Sequence, residues 1–367
     1  MTVSASTGSA AIHRCSPDRP VRVGTRVPRL PWRTIDVHCH LFTPAVEALL
    51  CAAPGHAARM AEEAMAMGEH SRQINAAQFE LLLPKLTSIE ARLADMDAMG
   101  VDIQLVSPSP TQYHYWADPE LADEIAELQN SAISTLCASH PDRFLGLGTV
   151  TLQDPPRAAL QLQELVLSRR FKGVQISTLV QDKDVADPFF RPFWEMAAKL
   201  GAIVFIHPWG TTLGTRLSHH YLMNTVGQPL ETSICLSKLI FSGELERHPA
   251  PRIIAAHGGG YLPLYIGRSD HAHAVRPEAG SCTSCPSQQL RQLWFDSVVH
   301  DPTQLRHLIE RVGADRVVIG TDYPFDMGHY DPSGLLAGLP VEVQRQIMGG
   351  NASALLGLND DRRVLVD

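Results

Sequence analysis

Long apolar runs are missing from this sequence, and so is any excess of positive charge; each absence removes a class of function. No stretch approaches the roughly 20 consecutive apolar residues needed to span a bilayer, so no membrane role is expected. Against 39 Asp and Glu stand only 31 Lys and Arg, a formal net charge of -8. With no long basic run either, nucleic acid and other polyanions are not expected partners. A small anionic substrate is still allowed, because a bound divalent ion and one arginine reverse the potential inside a pocket. Cysteine is sparse: 7 residues, odd in number and scattered, do not make the framework of a disulfide-stapled secreted domain. The one close pair, Cys282 and Cys285, lacks the second pair or paired histidines of a structural zinc site and reads as loop cysteines. Residues 1–33 are rich in Ser, Pro and Arg and lack the apolar core of a signal peptide. They read as an extension, and a cytoplasmic protein is the expectation.

What is present is a core and a rhythm. The chain is 44% hydrophobic and 19% charged over 367 residues, ordinary for a globular protein. From Thr34 onward short apolar runs alternate with longer amphipathic stretches, the pattern of repeated βα units. Eight strands are expected, at 35–40, 103–107, 144–150, 173–177, 203–207, 253–257, 293–297 and 317–321. Helical segments are expected at 88–99, 119–138, 155–167, 190–200 and 302–312, several of them opened by Pro or a Ser/Asp cap. The strands are nearly continuous apolar runs, as when both faces of a parallel sheet are covered. An open doubly wound sheet is the alternative, but its Gly-x-Gly-x-x-Gly turn after the first strand is absent. The expected architecture is therefore a (β/α)8 TIM barrel over residues 34–367. An insertion after the first strand, about 42–86, reads as partly helical and as a lid, being longer than the usual βα loop.

The polar residues fall at the C-terminal ends of these apolar strands, the catalytic face of a barrel. His38 and His40 lie two apart on the first strand, so their side chains share a face. His207 ends the fifth strand, His257 ends the sixth, and Asp322 follows the eighth. All five are expected to face one cavity. Any one of the 17 histidines, taken alone, is more often a surface or hydrogen-bonded core residue. As a set, ionisable groups beside buried strands are costly without a compensating partner such as a metal. Imidazole and carboxylate suit zinc, and also iron, cobalt or manganese. His219, His220, His271, His273 and His300 lack this context and read as loop or helix residues.

His38-Cys39-His40, His207-Pro208-Trp209, His257-Gly258-Gly259-Gly260, Gly267-Arg268, Phe295-Asp296-Ser297 and Gly320-Thr321-Asp322-Tyr323-Pro324 resemble the decarboxylase branch of the amidohydrolase superfamily. The likeness is to its aminocarboxymuconate-semialdehyde decarboxylase-like members and runs from about Thr34 to Leu358. It implies one divalent metal, most often zinc, held by His38, His40, His207 and Asp322, with His257 as acid/base and Asp322 sharing in proton transfer. Binuclear members carry a bridging lysine at the end of the fourth strand; 173–177 has none, which favours one metal. The resemblance further implies a homodimer in which Arg268 reaches the neighbouring subunit's site to bind a substrate carboxylate, with Trp209 on the pocket wall. The family also uses an arginine in the insertion. Arg72 stands in that region, where a solvated arginine is the competing reading. Gly210 stands where the relative has an acid, a sign of a different substrate. The implied activity is non-oxidative decarboxylation of an unsaturated or aromatic carboxylate, as in the breakdown of aromatic compounds. A metal-dependent hydrolase of an ester, lactone or amide on the same barrel is the rival, since fold does not fix reaction.

Overall fold

Apolar runs become strands here because neighbouring strands cover their edges and helices cover their outer face. A computed structural model describes residues 30–249 and 251–358; apart from residues 30–33, the expected extension lies outside them. In chain order the strands are β1 (Ile35–Leu41), β2 (Ile103–Pro108), β3 (Phe144–Gly148), β4 (Gly173–Ile176), β5 (Leu179–Val180), β6 (Lys183–Asp184), β7 (Ile203–Ile206), β8 (Arg252–Ala255) and β9 (Trp294–Phe295). Seven of them form one parallel sheet in the order β1-β2-β3-β4-β7-β8-β9, while β5 and β6 pair only with each other. Helices on the outside begin where the sequence offers caps: the side chains of Ser88, Asp118, Asp154 and Asp301 each accept from backbone N–H groups of the helix that follows.

The eighth expected strand, 317–321, makes no continuous ladder, and yet it closes the barrel. Val317 bridges Phe295 and Tyr323 bridges Cys39, both in parallel. Val318 N donates to Phe295 O at 2.9 Å, and Val37 N donates to Ile319 O at 2.8 Å. Regular pairing is interrupted because β1 is bulged, its register shifting between Asp36 and Cys39, and because Asp322 adopts a left-handed backbone, φ 57°. The bulge has a consequence for packing. Ile35 and Val37 lie in the inner cluster with Leu105, Phe205 and Ile254, whereas Cys39 and Leu41 pack outward with the helix faces. A single extra residue thus re-aims the end of the strand.

Asp36 seals the seam, its carboxylate accepting from Thr321 N at 3.0 Å, Thr321 Oγ1 at 2.7 Å and Gln104 Nε2 at 3.0 Å. Burial pushes its pKa up to about 6, against the pull of the Thr321 and His38 bonds. Gly320 is required at this seam, because a Cβ there would stand 2.8 Å from His38 Cβ and 2.9 Å from Asp296 Cβ. The insertion proves more regular than expected: it is three helices, Pro44–Leu50, His56–Met67 and Glu69–Thr87. The last is tied to the barrel rim where Gln78 Nε2 donates to Asp326 Oδ2 at 3.0 Å.

Candidate metal centre

The strand ends converge as the sequence implied, by two different routes. On β7 plain alternation suffices: Ile203 and Phe205 belong to the inner cluster, and His207 follows on the same face. At the end of β8 and after β9 it does not. His257 and Asp322 both have left-handed backbones, φ 55° and 57°. Such strain is uncommon for non-glycine residues and clusters where side chains must be aimed against the local geometry.

The five polar groups meet. His38, His207, His257 and Asp322 each present one donor atom, all within 4.8 Å of one another. His40 joins them, its Nε2 3.1 Å from His38 Nε2 and 3.2 Å from Asp322 Oδ1. Asp322 Oδ1 is also 3.2 Å from His38 Nε2, and Oδ2 is 3.8 Å from His257 Nε2. Three rings are held from behind. His38 Nδ1 lies 2.5 Å from Asp296 Oδ2, His40 Nδ1 is 3.2 Å from Pro108 O, and His207 Nδ1 is 2.8 Å from Pro208 O. A ring that donates through Nδ1 to an oxygen keeps the lone pair of Nε2 for an ion. His207 Nε2 is buried with no hydrogen-bond partner among the described residues, so its lone pair is available to an ion. The residues therefore fit one divalent ion.

Electrostatics agree with this. Burial works against the cation of His38, but Asp322 and Asp296 outweigh it and push the pKa up to about 10. Burial takes His40 down to about 4 and, with the charges of His38 and His257, takes His207 well below the imidazole range. Asp322 is held well below the carboxylate range despite its burial, by the charge of His38 and by the imidazoles of His257, His38 and His40 gathered around it. One shared positive charge thus sits between carboxylates in a buried site. A divalent cation answers the same need more strongly.

No lysine bridges the centre: β4 contributes Gln175, whose Nε2 donates to Pro108 O at 2.9 Å, and Lys172 binds Leu356 O. Trp209 lines a cavity of about 150 Å³ together with His207, His257, Asp322 and the insertion residues Gln78 and Phe79. It also lines a neighbouring cavity of about 410 Å³ that contains none of the five centre residues. Arg268 stands apart, exposed on the helix Leu262–Val275. Arg72 is an exposed surface residue paired with Glu69 at 2.8 Å, which favours the solvated reading. Cys285 Sγ donates to Asp270 Oδ1 at 2.9 Å, and among the described residues no second metal-binding group forms around the cysteine pair.

The roles of three residues lay beyond the sequence reading, although Asp296 stood in one of the quoted motifs. Asp296, whose carboxylate also accepts from His257 N and Gly258 N at 2.9 Å each, orients the centre. Its signal was an acid at a buried strand end. His300, read as a loop residue, lines a cavity of about 360 Å³ with His257 and Asp322. Tyr113, whose hydroxyl donates to His207 O at 3.0 Å, gave no signal, since it lies in an irregular loop.

Comparison with known proteins agrees with the fold. The amidohydrolase family profile matches residues 35–358. The 2-amino-3-carboxymuconate-6-semialdehyde decarboxylase of Dictyostelium discoideum is 34% identical over 278 residues, 74% of this chain and 77% of that protein. The structure of 2,6-dihydroxybenzoate decarboxylase from Rhizobium superposes with a TM-score of 0.75 at 26% identity, covering 89% of this chain and 99% of the other. A dihydroxybenzoic acid decarboxylase from Polaromonas sp. JS666, solved with bound manganese and 2-nitroresorcinol, superposes with a TM-score of 0.76 at 23% identity, covering 89% and 98%. On its profile match, its relatives and its strand-end cluster, the chain belongs to the amidohydrolase superfamily, in the decarboxylase branch.

Proposed function

We propose that this protein is a metal-dependent, non-oxidative decarboxylase of an unsaturated or aromatic carboxylate. One divalent ion would be held by His38, His40, His207 and Asp322. The observation that carries the assignment is the difference between these three rings and His257. Each ring has its Nδ1 against an oxygen, while Nδ1 of His257 has no partner and the ring is the least buried of the four. A ligand histidine is normally held from behind; a proton carrier must be free to change state.

When bound, the ion orients the carboxylate or a neighbouring oxygen and stabilises negative charge as carbon dioxide leaves. The residues do the rest. As the bond between carboxyl and carbon breaks, the electron pair stays on carbon, and His257, beside Asp322, delivers the proton that replaces carbon dioxide. Trp209 supplies a flat apolar wall against which a planar substrate packs. Zinc is the metal proposed, with manganese, cobalt or iron as the options a His/Asp set admits.

A homodimer is proposed to complete the site. Arg268 has no hydrogen bond or ion pair among the described residues, and on its helix Leu264 and Tyr265 are 48% and 65% exposed. An unpaired arginine flanked by exposed apolar residues suits an interface, through which Arg268 would bind the substrate carboxylate in the neighbouring site. No helix among the described residues is long and apolar enough to cross a membrane. The unpaired cysteines of the described residues suit a reducing, cytoplasmic setting.

The test is to incubate metal-loaded protein with a panel of aromatic and unsaturated carboxylates and of lactones and esters, following carbon dioxide against acid release. Carbon dioxide release dependent on about one divalent metal per chain, by elemental analysis, is expected. Acid release without carbon dioxide, or two tightly bound metals per chain, overturns the reading.

A further inference from the structure

The wall of the cavity beside the metal centre carries two carboxamides that no described residue pairs with. Residues Met223–Gly227 form a π-helical turn that runs into the α-helix Gln228–Phe241. The backbone N–H of Gln228 closes the turn on Met223 O. Widened turns of this kind occur mostly where a side chain must be displayed for use. Asn224 and Gln228, four residues apart on it, both line the cavity of about 150 Å³ that contains His207, His257 and Asp322. Both also line the adjoining cavity of about 360 Å³.

Neither side chain makes a hydrogen bond among the described residues. Gln228 is only 6% exposed, and its Oε1 is buried without a donor. Leaving such a group unpaired destabilises the fold, where an apolar residue of the same length would not. The same cavity is lined by the apolar side chains of Phe79, Leu82, Pro208, Trp209 and Phe325 and by polar ones of which Asn75, Gln78, Asp326 and Thr111 already have partners, so the two amides stand out as unpaired polar groups on a wall otherwise suited to a ring.

We propose that Asn224 and Gln228 are specificity-determining residues that hydrogen-bond a hydroxyl group carried by the substrate close to the group bound at the centre. The inference rests on the decarboxylase reading for the carboxylate and goes beyond it in assigning the second recognition point. A hydroxyl fits because it donates and accepts, and so it satisfies a carboxamide from either edge, whichever way the amide is turned. A pocket built to pair a hydroxyl discriminates strongly against the analogue that lacks it, since the amide is then left buried and unmet.

The test is a binding measurement that needs no turnover. Titrations of the metal-loaded holoenzyme with salicylate and with benzoate are followed by calorimetry, for the wild type, Gln228→Met and Asn224→Ala. Metal content is checked in each. The wild type is expected to bind salicylate about 10-fold more tightly than benzoate, the worth of one buried hydrogen bond. The ratio should fall toward one in Gln228→Met with metal retained, and fall partway in Asn224→Ala. Should Gln228→Met fold poorly, the half-buried Asn224 position decides. Equal affinity of the wild type for the two acids, no binding of either, or a preference that survives both substitutions overturns the proposal. A wild type that discriminates between the acids but releases carbon dioxide from none of the panel would instead defeat the decarboxylase reading and leave the amide pair standing.

Discussion

Asp296→Asn offers the sharpest test of how the centre is held. The side chain is fully buried. Oδ1 accepts from Gly258 N at 2.9 Å and Val298 N at 3.1 Å, while Oδ2 accepts from His257 N at 2.9 Å and His38 Nδ1 at 2.5 Å. Asparagine keeps the shape but exchanges one acceptor for an NH2, so either way round two donors lose their oxygen. Hydrogen bonds to a charged group contribute about 1.5–3 kcal/mol each, so two are worth roughly 3–6 kcal/mol. The histidine can recover one of them by changing tautomer, accepting at Nδ1 from the new amide. Its proton then moves to Nε2, the atom proposed to face the metal. The apo protein should therefore lose less stability than the sum, while metal affinity falls by about 10–100-fold, the usual cost of removing such a supporting carboxylate. Competition against a chromophoric chelator, with thermal unfolding of apo and metal-loaded protein, separates the two effects. An Asp296→Asn protein that binds metal within about twofold of the wild type, however unstable, refutes the reasoning and reduces Asp296 to a strut for the 257–258 turn.

His257→Ala should keep its metal and lose turnover by about 100-fold or more, whereas Asp322→Ala should lose metal; equal metal loss in both, by elemental analysis, would mean His257 is a ligand. Arg268→Ala and Asp322→Ala proteins should each be nearly inactive, yet recover about a quarter of wild-type activity after equal mixing and full subunit exchange, since half the dimers then carry one intact site. No recovery despite demonstrated exchange places Arg268 outside the partner's site. His114, its side chain 7% exposed, is taken down to about 4 by burial and by the charge of His56. Its unfolded pKa is about 6.5, so the unfolded chain binds the extra proton. Stability should be complete above pH ~6.5 and lost as pH falls toward 4, by up to about 3 kcal/mol. His114→Asn, which tolerates the local φ of 46°, should flatten that slope in urea unfolding; an unchanged slope removes His114 from the acid response.

Where an apolar run ends in a histidine on an unbroken strand, as Ile203 to His207 does, alternation placed the side chain correctly. The pair on β1 was legible for the same reason, although the bulge beneath it was not, because a register shift depends on the neighbouring strands. His257 and Asp322 were found by position in the sequence rather than by geometry: left-handed backbones aim them, and single-residue strain leaves no periodic trace. The closing segment read as a strand because its residues are apolar, and sequence could not foretell that a broken ladder would suffice. The insertion looked only partly helical because little of it is buried: His56–Met67 has no buried residue and Glu69–Thr87 only Ser71, Gln78 and Leu86, so no core-facing apolar stripe marked the helices. Arg72 and Arg268 were both singled out through the resemblance, the first against a solvated reading and the second as a residue of the neighbouring site. The first pairs with Glu69 in its own helix; the side chain of the second has no partner among the described residues.

The seam between β1 and the 317–323 segment also bears on how the protein is made. During synthesis the histidine pair leaves the ribosome early, whereas Asp296 and Asp322 follow near the end of the barrel. Asp36 likewise waits for Thr321, 285 positions on. Until then β1 has one open side. The nascent chain carries imidazoles able to catch an ion weakly, but no carboxylate to fix their tautomer or complete their charge. With the ligand set proposed above, full affinity would arrive only with the last strand-like segment, and tight metal capture would mark the chain whose barrel has shut.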